Sequence, residues 1–147
     1  APVRVRVRVP APGMSVPRRT AHSTPRMRPE DMKVYVVARD LGKVIDRIVA
    51  RIAPQLKRVA DHMERSMESA GLNLSEGLTA YRPGVKASAF EISRKETGEV
   101  RKAVSRALDR RGITQTEHDE AMAMSNSLIA MLTVMIKQQE KRKDEEH

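Results

Sequence analysis

The side chains able to do chemistry in this sequence are few and poorly spaced for it. Histidine occurs at His22, His62, His118 and His147, and there is no cysteine. Helical proteins commonly hold metals through Glu-x-x-His pairs, whose spacing puts both ligands on one helix face. No histidine here has a glutamate three residues before it. Asp61-His62 and Glu117-His118-Asp119 set acid and imidazole side by side in sequence, so on a helix they splay around the surface instead of converging. The lack of Cys excludes disulfides and thiolate metal sites. Neither a Gly-rich phosphate loop nor a nucleophile elbow is present. The sequence therefore predicts no metal, no cofactor, no catalytic residue, and a protein that is not an enzyme.

What remains is charge. The formal net charge is +9 and the pI is near 10.3, which directs attention to nucleic acid. Residues 1–29 contribute seven Arg and no acid, so the rest of the chain is almost balanced, with 21 basic and 19 acidic side chains. Within that remainder the stretch from Arg82 to Arg111 holds nine basic and four acidic residues, whereas residues 113–139 hold three acids and one Lys. Arg94, Arg101, Lys102 and Arg106 fall close to one side of a helix and are the candidate phosphate contacts. Repeated in an oligomer, they would build a positive field that recruits phosphates without reading bases. Aromatic residues are limited to Tyr35, Tyr81 and Phe90, which argues against single-strand binding by base stacking.

The elements that would carry these residues are all helical. Apolar residues at Val34, Val37, Leu41, Val44, Ile45, Ile48 and Ile52 recur at three- and four-residue steps and predict helix 1 over 31–53, with Asp31 as N-cap. Pro54 ends it. Val59, Met63, Met67, Ala70, Leu74 and Leu78 predict helix 2 over 55–80, with Gly71 as an irregularity. Tyr81-Arg-Pro-Gly84 is a turn signal. Helix 3 is predicted over 87–111 on a stripe of small residues that permits close approach, closed by Gly112 as C′. Thr114-x-x-Glu117 and Thr116-x-x-Asp119 each resemble a capping box opening helix 4, over 115–139. Short connections make neighbours antiparallel. The expectation is an all-α, up-down-up-down antiparallel four-helix bundle at 31–139, followed by a charged C-terminal tail at 140–147.

Helix 4 carries more apolar surface than one core face needs. Besides Ala121, Ser125, Leu128, Leu132 and Met135, it has Met122, Ile129 and Ile136 at seven-residue spacing. The stretch is too short and too polar to span a bilayer, so Met122, Ile129 and Ile136 are predicted to form a subunit contact. The competing reading is a broad stripe wrapped by neighbouring helices.

Residues 1–30 contain six of the eight prolines and an alternating Val-Arg run, and are predicted to be a disordered N-terminal tail. A solvated tail, an over-extended start with the initiator at Met27 or Met32, and a transit-peptide-like segment all fit the composition, the mis-called or truncated start best. No apolar secretory core occurs, so a cytoplasmic location is expected.

Asn73-Leu74-Ser75-Glu76-Gly77 is similar to the Asn-(Ile/Leu)-x-Glu-Gly signature of the four helix bundle protein family, which includes the 23S rRNA intervening-sequence proteins and the accessory variability proteins of diversity-generating retroelements. Met32-Lys-Val-Tyr35, Arg65, Phe90, Glu99 and Arg110-Arg-Gly-Ile113 resemble the family in order and spacing, over about residues 31–139. The chain departs in having Gly71 where the family usually has Pro, and in a shorter first connection. The resemblance implies a four-helix bundle, assembly as a homopentamer, and, from the retroelement branch, binding to RNA or DNA and to a reverse transcriptase or other protein partner. It assigns no catalytic residue. From the residues themselves, Asn73 and Glu76 are expected to satisfy backbone groups near the Gly71 irregularity, with direct ligand contact as the alternative. Two functional readings follow: an oligomeric, non-enzymatic accessory protein that contacts nucleic-acid phosphates through helix 3, or an interaction scaffold whose charges are solvated surface.

Overall fold

Two prolines open helices, and both do so earlier than hydrophobic periodicity predicts. In the computed structural model, which describes residues 28–146 together with Gly13, α1 spans Pro29–Ile52 and α3 spans Pro83–Asp109. Proline is suited to a first helical position because its missing N–H has no partner there. The residues before them, Arg28 and Arg82, are extended at ψ 156 and ψ 129, as the clash with a following proline ring requires. Asp31 is therefore not the N-cap of α1. It sits in the first turn, and its carboxylate accepts a hydrogen bond from the Arg28 backbone N–H at 3.3 Å. The predicted disorder of the N-terminal tail lies, for residues 1–27 other than Gly13, outside the described residues.

Helix α2 spans Lys57–Thr79 and α4 spans Gln115–Glu145. No strand occurs among the described residues. Pro54 falls in the α1–α2 turn, where Leu56 N–H donates to the Ile52 carbonyl at 2.7 Å. Gly71 does not interrupt α2, which is helical on both sides of it. The Thr114–Glu117 capping box opens α4: Glu117 N–H donates to Thr114 Oγ1 at 3.1 Å, and Thr114 N–H to Glu117 Oε1 at 3.0 Å. The charged segment after residue 139 continues the helix to Glu145, so helical structure extends past the end of the apolar pattern.

The α3–α4 connection differs from expectation by one residue. Arg111, not Gly112, takes the left-handed conformation, at φ 60. Gly112 N–H reaches back to the Ala107 carbonyl at 2.8 Å and Arg111 N–H to the Leu108 carbonyl at 2.9 Å. Those two bonds make a Schellman motif with Arg111 at C′. A Cβ on Gly112 would lie 2.6 Å from the terminal Cδ1 of Leu56, which would have to turn aside, and 3.4 Å from the Ala107 carbonyl oxygen.

The helices form an antiparallel four-helix bundle in which each packs against its two neighbours and the diagonal pairs stay apart. α3 packs extensively on both α2 and α4, whereas α1 makes the thinner seams. Leu41, Ile45, Met63, Phe90, Leu128 and Leu132 are fully enclosed, each worth about 1.5–3 kcal/mol of burial. The small residues of α3 permit its close approach. Ser93, buried, donates across the interface to the Ala70 carbonyl at 2.8 Å, and Thr97 donates back to the Ser93 carbonyl at 2.8 Å. Among the described residues, no helix is long and apolar enough to cross a membrane.

Candidate nucleic-acid interface

The α3 stripe divides in two. Arg101, Lys102 and Arg106 line one open groove of about 660 Å³ along the outer side of α3, together with His62 of α2 and Met122 of α4. Arg94 stands apart from that groove, donating to Thr133 Oγ1 of α4 at 3.3 Å. Its guanidinium helps join α3 to α4.

Electrostatics within the groove are mixed. Glu99 bridges two of the basic groups, accepting from Lys102 Nζ at 3.0 Å and lying 3.3 Å from His62 Nε2. The hydrogen bond from Lys102, then its charge, hold the Glu99 carboxyl below its ordinary range, with His62 adding to the effect. Asp109 lines the far end. Arg101 is half-buried, and its Nε is enclosed without a hydrogen-bond partner. A buried unsatisfied donor costs about 1–3 kcal/mol, and with under 1 Å² of surface this Nε does not open onto the groove.

The Asn73–Gly77 signature lies at the α2–α3 seam. Asn73 Nδ2 donates to the Ser69 carbonyl at 2.9 Å, an attachment to its own helix with no break to repair. Asn73 and Glu76 border an open groove of about 750 Å³, whose other wall includes Val85 and Ile92 of α3. Gly77 is required by sterics, because an ideal Cβ would lie 2.4 Å from Phe90 Cε1. Sequence reasoning missed Lys86. Its Nζ donates to the Gly77 and Leu78 carbonyls at 2.7 and 3.2 Å, closing the end of α2, and lies 6.0 Å from the Phe90 ring centroid. The available signal was a lysine just past the helix 2–helix 3 turn, where a cation meets exposed helix carbonyls.

The residues predicted to form a subunit contact also separate. Ile136 is buried in the core of its own chain, with 3% of its surface exposed, and this corrects its assignment to a surface stripe. Met122 and Ile129 are half-exposed. An α-helix gains about 20° per heptad, so a strict seven-residue row does not stay on one face: Ile136 is core, and Met122 packs partly against the core.

A small antiparallel four-helix bundle with a basic outer groove, and with no metal-ligating cluster among its described residues, defines the class. Residues 30–134 match the family described as 23S rRNA-intervening sequence protein, and the chain belongs to that family. Its fold is similar to a crystal structure of a protein of unknown function from the S23 ribosomal protein family of Bacteroides thetaiotaomicron, with a TM-score of 0.69 and 19% identity over 74% of this chain and 98% of the other. Among curated proteins, none matches this sequence.

Proposed function

We propose that this protein is a non-enzymatic, oligomeric accessory protein of the cytoplasm that binds the phosphate backbone of RNA or DNA through α3. The observation that carries the reading is the common groove of Arg101, Lys102 and Arg106. Three cations within reach of a linear polyanion release counterions on binding, so affinity should fall steeply with salt and care little about base sequence. Arg94 is a weaker contributor, since its guanidinium already serves Thr133. Met122 lines the same groove. Subunits meeting at Met122 and Ile129, in a pentamer or another ring, would therefore set the grooves beside the subunit boundary.

The test is binding of generic duplex and single-stranded oligonucleotides across a salt series, using a chain beginning at Arg28 so that the tail arginines do not dominate. Arg101→Gln with Lys102→Gln should weaken binding and reduce the salt slope by about one unit per lost contact. Equal binding by the double variant, or none by the parent at low salt, removes the reading.

A second reading, a protein-docking scaffold, draws on the exposed apolar residues of the α2–α3 side. Leu72, Val85 and Ile92 are 65%, 46% and 45% exposed. A reverse transcriptase or another protein partner would bury them, and Leu72→Glu would then abolish the complex while leaving nucleic-acid binding unchanged.

A further inference from the structure

All four helices meet at one end of the bundle: α1 and α3 begin there, and α2 and α4 finish there. Between them is a cavity of about 430 Å³, more enclosed than the grooves along the sides. Its floor is apolar, formed by Leu78, Phe90 and Met135, and its mouth carries Arg28, Lys86 and Arg142. The volume falls within the range that small organic ligands occupy.

Two features of this cavity lack a partner. Gln139 lines it and is more than nine-tenths buried, yet its Oε1 accepts no hydrogen bond. An amide oxygen in that state carries a desolvation cost that a donor group could remove. The second feature is the crowding of positive charge. Among the described residues, neither Arg28 nor Arg142 has a carboxylate within ion-pair distance, and Lys86 spends its hydrogen bonds on the end of α2. Burial depresses the Lys86 ammonium pKa; Asp31 opposes this, and the charges of Arg28 and Arg142 add to the depression. Asp31, which accepts from the Arg28 backbone N–H, and Glu30 also line the cavity, so its ionised lining groups keep an excess of one positive charge. Like charges sharing a half-enclosed space are stabilised by an anion placed among them.

We propose that this end cavity is a binding site for a small phosphate monoester bearing a hydroxyl or amino group. The phosphate sits among Arg28, Lys86 and Arg142, and the Gln139 amide turns to bring Oε1 to the cavity, where the hydroxyl or amino group donates to it. The apolar floor accommodates a short carbon skeleton. The site is separate from the α3 groove and does not depend on nucleic-acid binding.

The probe is glycerol 3-phosphate, which carries both groups, titrated calorimetrically into the full chain at constant ionic strength. Glycerol and sodium chloride serve as controls. Saturable binding at millimolar concentration or below is expected, weakened about tenfold by Arg142→Gln and by Gln139→Leu. Gln139→Leu removes the unpartnered oxygen, so its melting temperature without probe should be unchanged or higher. Binding thus falls while stability does not, which a purely structural role for Gln139 would not produce. Arg101→Gln with Lys102→Gln should keep full affinity for the probe, which separates a small phosphate in this cavity from backbone phosphate on α3. The proposal is overturned by heats that match the chloride control, by affinity unaltered in both cavity variants, or by binding lost in the α3 double variant.

Discussion

Gly71 and Gly77 occupy the same helix, and replacing each with alanine should move stability in opposite directions. Alanine is favoured over glycine inside a helix by about 0.8–1.0 kcal/mol. At Gly71 an added Cβ meets nothing within 4 Å, so Gly71→Ala should gain roughly that amount. At Gly77 the Cβ would lie 2.4 Å from Phe90 Cε1 and 2.6 Å from Cδ1, where carbon atoms prefer about 3.5–4.0 Å. Phe90 is 1% exposed, so its ring cannot swing into solvent. Either it is displaced by about an ångström or α2 and α3 separate, and overpacking of this kind costs about 1–3 kcal/mol. The short approach places the cost toward the upper end, so Gly77→Ala should be destabilised by about 1–2 kcal/mol after the gain in helix propensity. Urea unfolding followed by far-ultraviolet circular dichroism, at one protein concentration, measures the difference. Because the clash is with one ring, Phe90→Leu combined with Gly77→Ala should cost less than the two changes summed. A Gly77→Ala protein as stable as Gly71→Ala would refute the argument, and additivity with Phe90→Leu would refute its cause.

Arg111 holds φ 60 with a side chain attached, so Arg111→Gly should stabilise the chain by about 1 kcal/mol, read as a raised melting temperature. Thr114→Ala should cost about 1 kcal/mol in the same assay by removing the α4 cap. Burial pushes the Glu117 carboxyl up, but the hydrogen bonds from Thr114 and Arg51 outweigh it and hold the group below its ordinary range. Its contribution is therefore present above the unfolded pKa and lost as pH falls through the folded one. Glu117→Gln should be less stable at neutral pH and show a shallower acid decline, and an unchanged decline would contradict the assignment. Ile129→Glu should dissociate the proposed oligomer while retaining helicity, and a monomeric parent in sedimentation would remove that interface.

Much of the bundle was legible because helical periodicity is a local property. Val34 through Ile52 and Val59 through Leu78 reveal their buried faces at three- and four-residue steps, and Thr114-x-x-Glu117 marks a helix start by its own side-chain chemistry. The ends were harder to place. Asp31 and Gly112 are each the right residue type for a cap, yet prolines at the first helical position and a left-handed Arg111 shifted the boundaries.

What the tertiary structure alone decided concerns relations between helices. That Ile136 is core while Ile129 is half-exposed depends on where α4 meets its neighbours. The sequence places Arg94 and Arg101 on one helix face, but only packing sends Arg94 to Thr133 and leaves Arg101 in the groove. Gly77 reads as one more helix breaker until Phe90, from another helix, is found against its Cα hydrogen. The end cavity joins residues as distant as Arg28 and Arg142. Periodicity records which face of a helix avoids water, whereas a site built from four helix ends depends on their register and spacing, which no single segment encodes.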